Sequence, residues 1–153
     1  MVEITGSETS LTDETLKKFE EKNSIKLPLE YRNFLLQVNG GYPDPDCFKF
    51  HDGSEGSSID KIFGVCSNKK LSLQAYIDEY HDRMPKHIIP IGRDPGGNYI
   101  CISTAKQDFG KVYFWDHELE ADLDKGESPS YENLTLISEN FSDFIDSLYE
   151  IDI

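Results

Sequence analysis

The stretch that decides the fold is Ile88-Ile89-Pro90-Ile91-Gly92-Arg93-Asp94-Pro95-Gly96-Gly97-Asn98-Tyr99-Ile100-Cys101-Ile102-Ser103, followed by Val112-Tyr113-Phe114-Trp115. Ile88 to Ile91, Tyr99 to Ser103 and Val112 to Trp115 are rich in β-branched and aromatic residues, which suit a pleated, buried surface. Asp94-Pro95-Gly96-Gly97-Asn98 supplies turn formers between the first two, and Phe109-Gly110 lies near the next reversal. Short consecutive connections of this kind predict an antiparallel meander, because parallel strands need long crossovers.

Outward from the meander the apolar period changes from two to 3.6. Thr12 is the expected N-cap of a first helix, with Asp13 and Glu14 in the first turn, a Leu11–Leu16 staple and a stop at Asn23. Pro28 suits the start of a second helix, whose Tyr31, Phe34, Leu35 and Val38 form one face before Asn39-Gly40-Gly41 ends it. Strands are expected near Cys47 to Phe50 and Ile59 to Val65, on either side of a polar loop over 51–58. Ser72 caps a third helix carrying Leu73, Tyr76, Ile77 and Tyr80, with Pro85 forbidding continuation. A final helix is expected from about Ser138, with Phe141, Phe144, Ile145, Leu148 and Tyr149 on its apolar face. The order predicts a single α+β domain over 1–153, with helices packed on a largely antiparallel β-sheet.

Composition narrows the function. Hydrophobic residues at 37% and aromatics at 12% predict a folded chain. The apolar runs stop far short of the roughly 20 residues of a membrane helix. The start, Met1-Val2-Glu3-Ile4, lacks the basic and apolar regions of a signal peptide, so a cytoplasmic location is expected. Cys47, Cys66 and Cys101 form no CxxC and read as free thiols.

Fifteen Lys and Arg stand against 29 Asp and Glu, a net charge of −14 that argues against direct nucleic-acid binding. Residues 116–153 hold 12 of those acids against one base, Lys125, a net −11, which leaves −3 for residues 1–115. Glu118, Glu120, Asp122 and Asp124 alternate with Leu119, Ala121 and Leu123, so an extended segment would aim four carboxylates to one side. Such a face attracts a basic partner. Tyr42, Tyr131 and Trp115 have the look of exposed aromatics that could anchor it.

Signals for chemistry fail one by one. His51, His81, His87 and His117 form no HExxH pair, and no metal ligand set is expected. Asp44-Pro45-Asp46 opens like a calcium loop, but Cys47, Phe48 and Lys49 stand where oxygen ligands and a glycine are needed. Pro95-Gly96-Gly97 has neither the GxxxxGK[ST] of a phosphate loop nor a GxGxxG, and there is no GxSxG. No enzyme activity and no cofactor are expected.

Five segments in order resemble the SUKH superfamily, the group related to the yeast cell-wall synthesis regulator. They are Leu27-Pro28-Leu29-Glu30-Tyr31-Arg32-Asn33-Phe34-Leu35-Leu36 with Asn39-Gly40-Gly41; Ile62-Phe63-Gly64-Val65; Pro90-Ile91-Gly92 with Gly96-Gly97-Asn98-Tyr99-Ile100-Cys101-Ile102; Gly110 to Glu118; and Ser142-Asp143-Phe144-Ile145. The resemblance implies an α+β fold and a role without catalysis, since bacterial members are commonly immunity proteins that bind and neutralise a cognate toxin domain, often a nuclease. The motif residues have packing or turn roles and do not locate the partner site. Asp116, Glu118, Glu120, Asp122 and Asp124 are the expected steering charges, with Trp115 and Tyr42 as anchors. Two alternatives stand beside this reading: a regulatory adaptor for an endogenous protein, and a sugar-binding or sugar-cleaving protein using the loop from His51 to Ser58.

Overall fold

In the computed structural model, which describes residues 2–66 and 70–151, thirteen helices and strands follow in the order β1 (Glu3–Thr5), α1 (Asp13–Asn23), α2 (Leu29–Gln37), β2 (Tyr42–Asp44), β3 (Cys47–Lys49), β4 (Glu55–Ser58), β5 (Lys61–Ile62), α3 (Leu73–Tyr80), β6 (Ile88–Arg93), β7 (Tyr99–Ser103), β8 (Val112–Trp115), β9 (Leu134–Ser138) and α4 (Phe141–Asp146). Strands β5 to β9 form one five-stranded antiparallel sheet in sequence order, while β1–β2 and β3–β4 are separate antiparallel pairs. The α+β architecture and the central meander are as expected.

Alternation along β7 and β8 divides the core between two faces. Tyr99 and Trp115 point toward α3, where Tyr80 meets both rings at 4.5 and 5.9 Å and Phe63 stacks on Tyr76 at 3.7 Å. Phe114 points the other way, toward Phe48 and Phe50 at 6.2 and 5.6 Å. On that side Phe141 of α4 joins α2 through Tyr31 and Phe34, and Phe144 reaches Phe48. Both faces of the sheet are therefore covered along β8, and all four of its residues are buried.

The helix starts follow capping chemistry. Thr12 accepts from the Thr15 amide at 3.1 Å, Ser72 from the Ala75 amide at 3.1 Å, and Asn140 from the Asp143 amide at 2.8 Å. Helix α1 stops through Ser24, held in the left-handed region at φ 53. Gly40 (φ 71) turns the chain out of α2 where a Cβ would lie 2.6 Å from the Ile62 carbonyl, so that close approach requires glycine. Asn39, 3% exposed, staples the same corner. Its amide donates to the Thr9 and Val65 carbonyls at 2.8 Å each, and its oxygen accepts from the Val65 amide at 2.8 Å.

Several boundaries differ from expectation. The polar stretch 51–58 is loop only in its first half, because Glu55–Ser58 pairs with β3 as a hairpin. Between Ile59 and Val65 only Lys61–Ile62 is strand. Ser138 ends β9 instead of opening a helix, and α4 runs from Phe141 to Asp146 with Asn140 as its cap. Tyr149 lies beyond it, bridged to Cys47.

Candidate functional site

The acidic segment begins where β8 ends. Asp116 and Asn133 close a neck: the Asp116 amide donates to the Asn133 carbonyl at 3.0 Å, and the Asn133 side chain donates to the Asp116 carbonyl at 3.0 Å. Between them residues 117–132 make a compact loop of the Ω kind, with ends together and a surface position. It contains six acids and Lys125, a net −5 with His117 neutral. From Asp116 to Glu132 no residue is buried.

The sequence leaves the conformation of residues 116–133 open, and the structure does not make it the extended row of carboxylates that the alternation would allow. Short 3-10 turns occupy His117–Leu119 and Leu123–Lys125. The acids make these turns themselves, since a short carboxylate readily accepts from amides two residues on. Asp116 accepts from the Glu118 amide at 3.0 Å, and Asp122 from the Asp124 and Lys125 amides at 3.1 and 3.3 Å. Glu127 reaches back to the Asp122 amide at 2.8 Å, while Gly126 supplies a positive φ of 79.

Glu120 is committed elsewhere. Its carboxylate takes Arg83 in a two-pronged pair at 3.0 and 2.6 Å, and the pairing holds the guanidinium even more firmly protonated than usual. Arg83 in turn lies 4.5 Å over the Tyr80 ring and 5.7 Å over Trp115. Glu118, Asp124, Glu127 and Glu132 are exposed, so these are the charges the loop offers outward.

Neither expected anchor belongs to this surface. Trp115 is 0% exposed, because it occupies the α3 face of a strand covered on both sides. Its indole N–H is buried without a hydrogen-bond partner. Tyr42 is 43% exposed but sits on β2 beside β5, with the Lys61 ammonium 5.3 Å over its ring. Strands β5 and β8 are three positions apart in the sheet, about 14 Å at the usual strand spacing. The exposed apolar side chains of the loop are Leu119 (67%) and Leu123 (45%), with Tyr131 at its far end (38%).

Further contacts at His117 and Tyr131 hold the loop to the body, among them the Tyr131 ring edge-on to Tyr113 at 5.7 Å. His117 uses its backbone amide and Nδ1 on the Asn98 side-chain oxygen at 3.0 and 2.6 Å. Tyr131 donates to Asp108 at 2.9 Å. Asp108 is a buried carboxylate that also takes Tyr113 at 2.7 Å and the Ser103 hydroxyl. Burial, with the Asp108 charge behind it, pushes the Tyr113 and Tyr131 hydroxyls above the ordinary tyrosine range.

The histidine and cysteine candidates stand apart. His51 is half exposed and lies 3.6 Å from Glu139, whereas Cys47 and Cys101 are buried, which raises both thiols. Among the described residues no three His, Cys, Asp or Glu side chains group to hold a metal, and no helix is long and apolar enough to cross a membrane. Sequence reasoning missed Arg83 and Asn133, whose partners lie 37 and 17 positions away, and Asp108, whose role as an acceptor follows from its burial. It also missed the outward leucines, although Gly126-Glu127-Ser128-Pro129-Ser130 marks a loop by composition.

Comparison with known proteins gives the chain a relative and a family. A curated relative, the SPbeta prophage-derived uncharacterized protein YokK of Bacillus subtilis (strain 168), is 33% identical over 156 residues, covering 91% of this chain and 75% of that protein. The family model of SMI1 / KNR4 (SUKH-1) matches residues 10–147, which take in α1 through α4. With the meander, the Asn39-Gly40-Gly41 corner and the strand before the acidic loop all inside that match, this chain belongs to the SMI1 / KNR4 family (SUKH-1).

Proposed function

We propose that this chain is a cytoplasmic immunity protein that binds a cognate bacterial toxin domain and neutralises it by stoichiometric occlusion, without catalysis. The observation that carries the reading is the 117–132 loop: net −5, no buried residue, and Leu119 and Leu123 turned to solvent on a SUKH-1 fold. Carboxylates steer a basic surface into place, and apolar side chains slow its release. A nuclease is the toxin type whose charge fits, because its active site must be positive to hold phosphates. Glu118 and Asp124 supply outward steering charge, with Glu127 and Glu132 exposed beside them. Asp116, Glu120 and Asp122 add to the field while shaping the loop, and Leu119 and Leu123 take the anchoring role first given to Trp115 and Tyr42.

The test uses the purified product of the neighbouring open reading frame. Its affinity for this chain is measured by calorimetry at several salt concentrations, with the wild type and with E118Q/D124N. The double variant spares Glu120 and the turn-forming acids, and should weaken binding about fivefold at low salt and flatten the salt dependence. Unchanged affinity and salt dependence would remove the loop from the interface. A neighbour that does not bind would favour the adaptor role.

A further inference from the structure

We infer that residues 117–132 form a strap that lifts about the Asp116–Asn133 neck, and that the Glu120–Arg83 ion pair latches it over the aromatic face containing Trp115. The loop is joined to the body by polar contacts at His117–Asn98, Glu120–Arg83 and Tyr131–Asp108, and by the Tyr131 ring set edge-on to Tyr113 at 5.7 Å. Because no residue from Asp116 to Glu132 is buried, the loop's own side chains give up little burial on lifting; the apolar cost falls on the Trp115 face and on the Tyr113–Tyr131 ring contact, so the lifted form is a minor state reached by local opening. The neck stays shut by its two hydrogen bonds, one between backbone groups and one from the Asn133 side chain, so the strands beneath are not required to open.

What lies under the latch gives the motion a consequence. Arg83 is held between the Glu120 carboxylate and the rings of Tyr80 and Trp115. Release of Glu120 frees the guanidinium from its lid position and lets water approach an indole N–H that has no partner in the closed form. The open state thus regains hydration for Arg83, Glu120 and Trp115 together, which offsets part of the lost pairing. A basic partner that takes Glu120 from Arg83 would open the strap as it docks; that last step alone rests on the proposed docking reading.

Trp115 is the chain's single tryptophan, so its emission reports one site. Acrylamide quenching is measured on the full chain for the wild type, E120Q and the control E118Q, with circular dichroism confirming the fold. Loss of the charge-assisted pair should raise the lifted fraction about tenfold, seen as steeper quenching in E120Q and none in E118Q. Equal quenching of E120Q and wild type overturns the latch. Amide exchange of the wild type decides the strap without any substitution: peptides from 117–132 should exchange together and faster than those of β7 and β8, and equal protection overturns it. Neither readout contains a partner, so their failure is distinct from failure of the docking reading.

Discussion

Asp108→Ala should be among the most damaging single changes outside the apolar core. The carboxylate is 8% exposed and accepts three hydroxyls, from Ser103, Tyr113 and Tyr131. Ser103 is 0% and Tyr113 9% exposed, so both lose an acceptor that water cannot replace, at about 1–3 kcal/mol each. Tyr131 is 38% exposed and turns to solvent at little cost. Relief of the buried charge trims the sum, leaving a loss of about 3 kcal/mol. Asp108→Asn keeps the shape and one acceptor oxygen and should cost about 1–2 kcal/mol. Urea unfolding followed by circular dichroism measures both, and the alanine variant should melt roughly 10 °C lower. A loss below about 1 kcal/mol for the alanine variant would refute the network as a structural centre.

Asn39→Ala leaves three backbone groups of the 9, 39 and 65 corner without their side-chain partner, and urea unfolding should register a loss of about 3 kcal/mol. Burial pushes the hydroxyls of Tyr31, Tyr99, Tyr113 and Tyr131 above the ordinary value of 10.0. Their contribution is complete below pH 10, where both states are protonated, and falls at higher pH as the unfolded chain releases protons first. Phenolate absorbance and circular dichroism recorded together should show Tyr31, Tyr99 and Tyr113 ionising only as the fold is lost; full phenolate absorbance with native dichroism would contradict this. Leu119→Ser and Leu123→Ser should change stability by less than about 0.5 kcal/mol yet weaken partner binding at least about tenfold in calorimetry.

Elements with strong local chemistry were legible in the sequence. Thr12 and Ser72 cap helices as their side chains dictate, and Tyr99–Ser103 and Val112–Trp115 are strands at the expected boundaries. The three-residue β1 and β2 carry too few side chains to show a period, and β9 is masked by the apolar residues of α4 that follow it. The alternation in 118–124 is a strand pattern, but Asp116 and Asp122 spend their carboxylates on nearby amides, which favours turns over pairing. The concentration of charge after Trp115 was readable because charge is additive. The burial of Trp115 was not, since it depends on α3 packing across β8 and on Arg83 bonding a residue 37 positions away.

The most direct test is to express the open reading frame beside this gene in bacteria, with and without this chain, and measure survival together with co-purification. Immunity by direct occlusion predicts toxicity from the neighbour alone, rescue by this chain and recovery of a one-to-one complex. Toxicity that this chain fails to relieve, or rescue without a complex, would contradict immunity by direct occlusion.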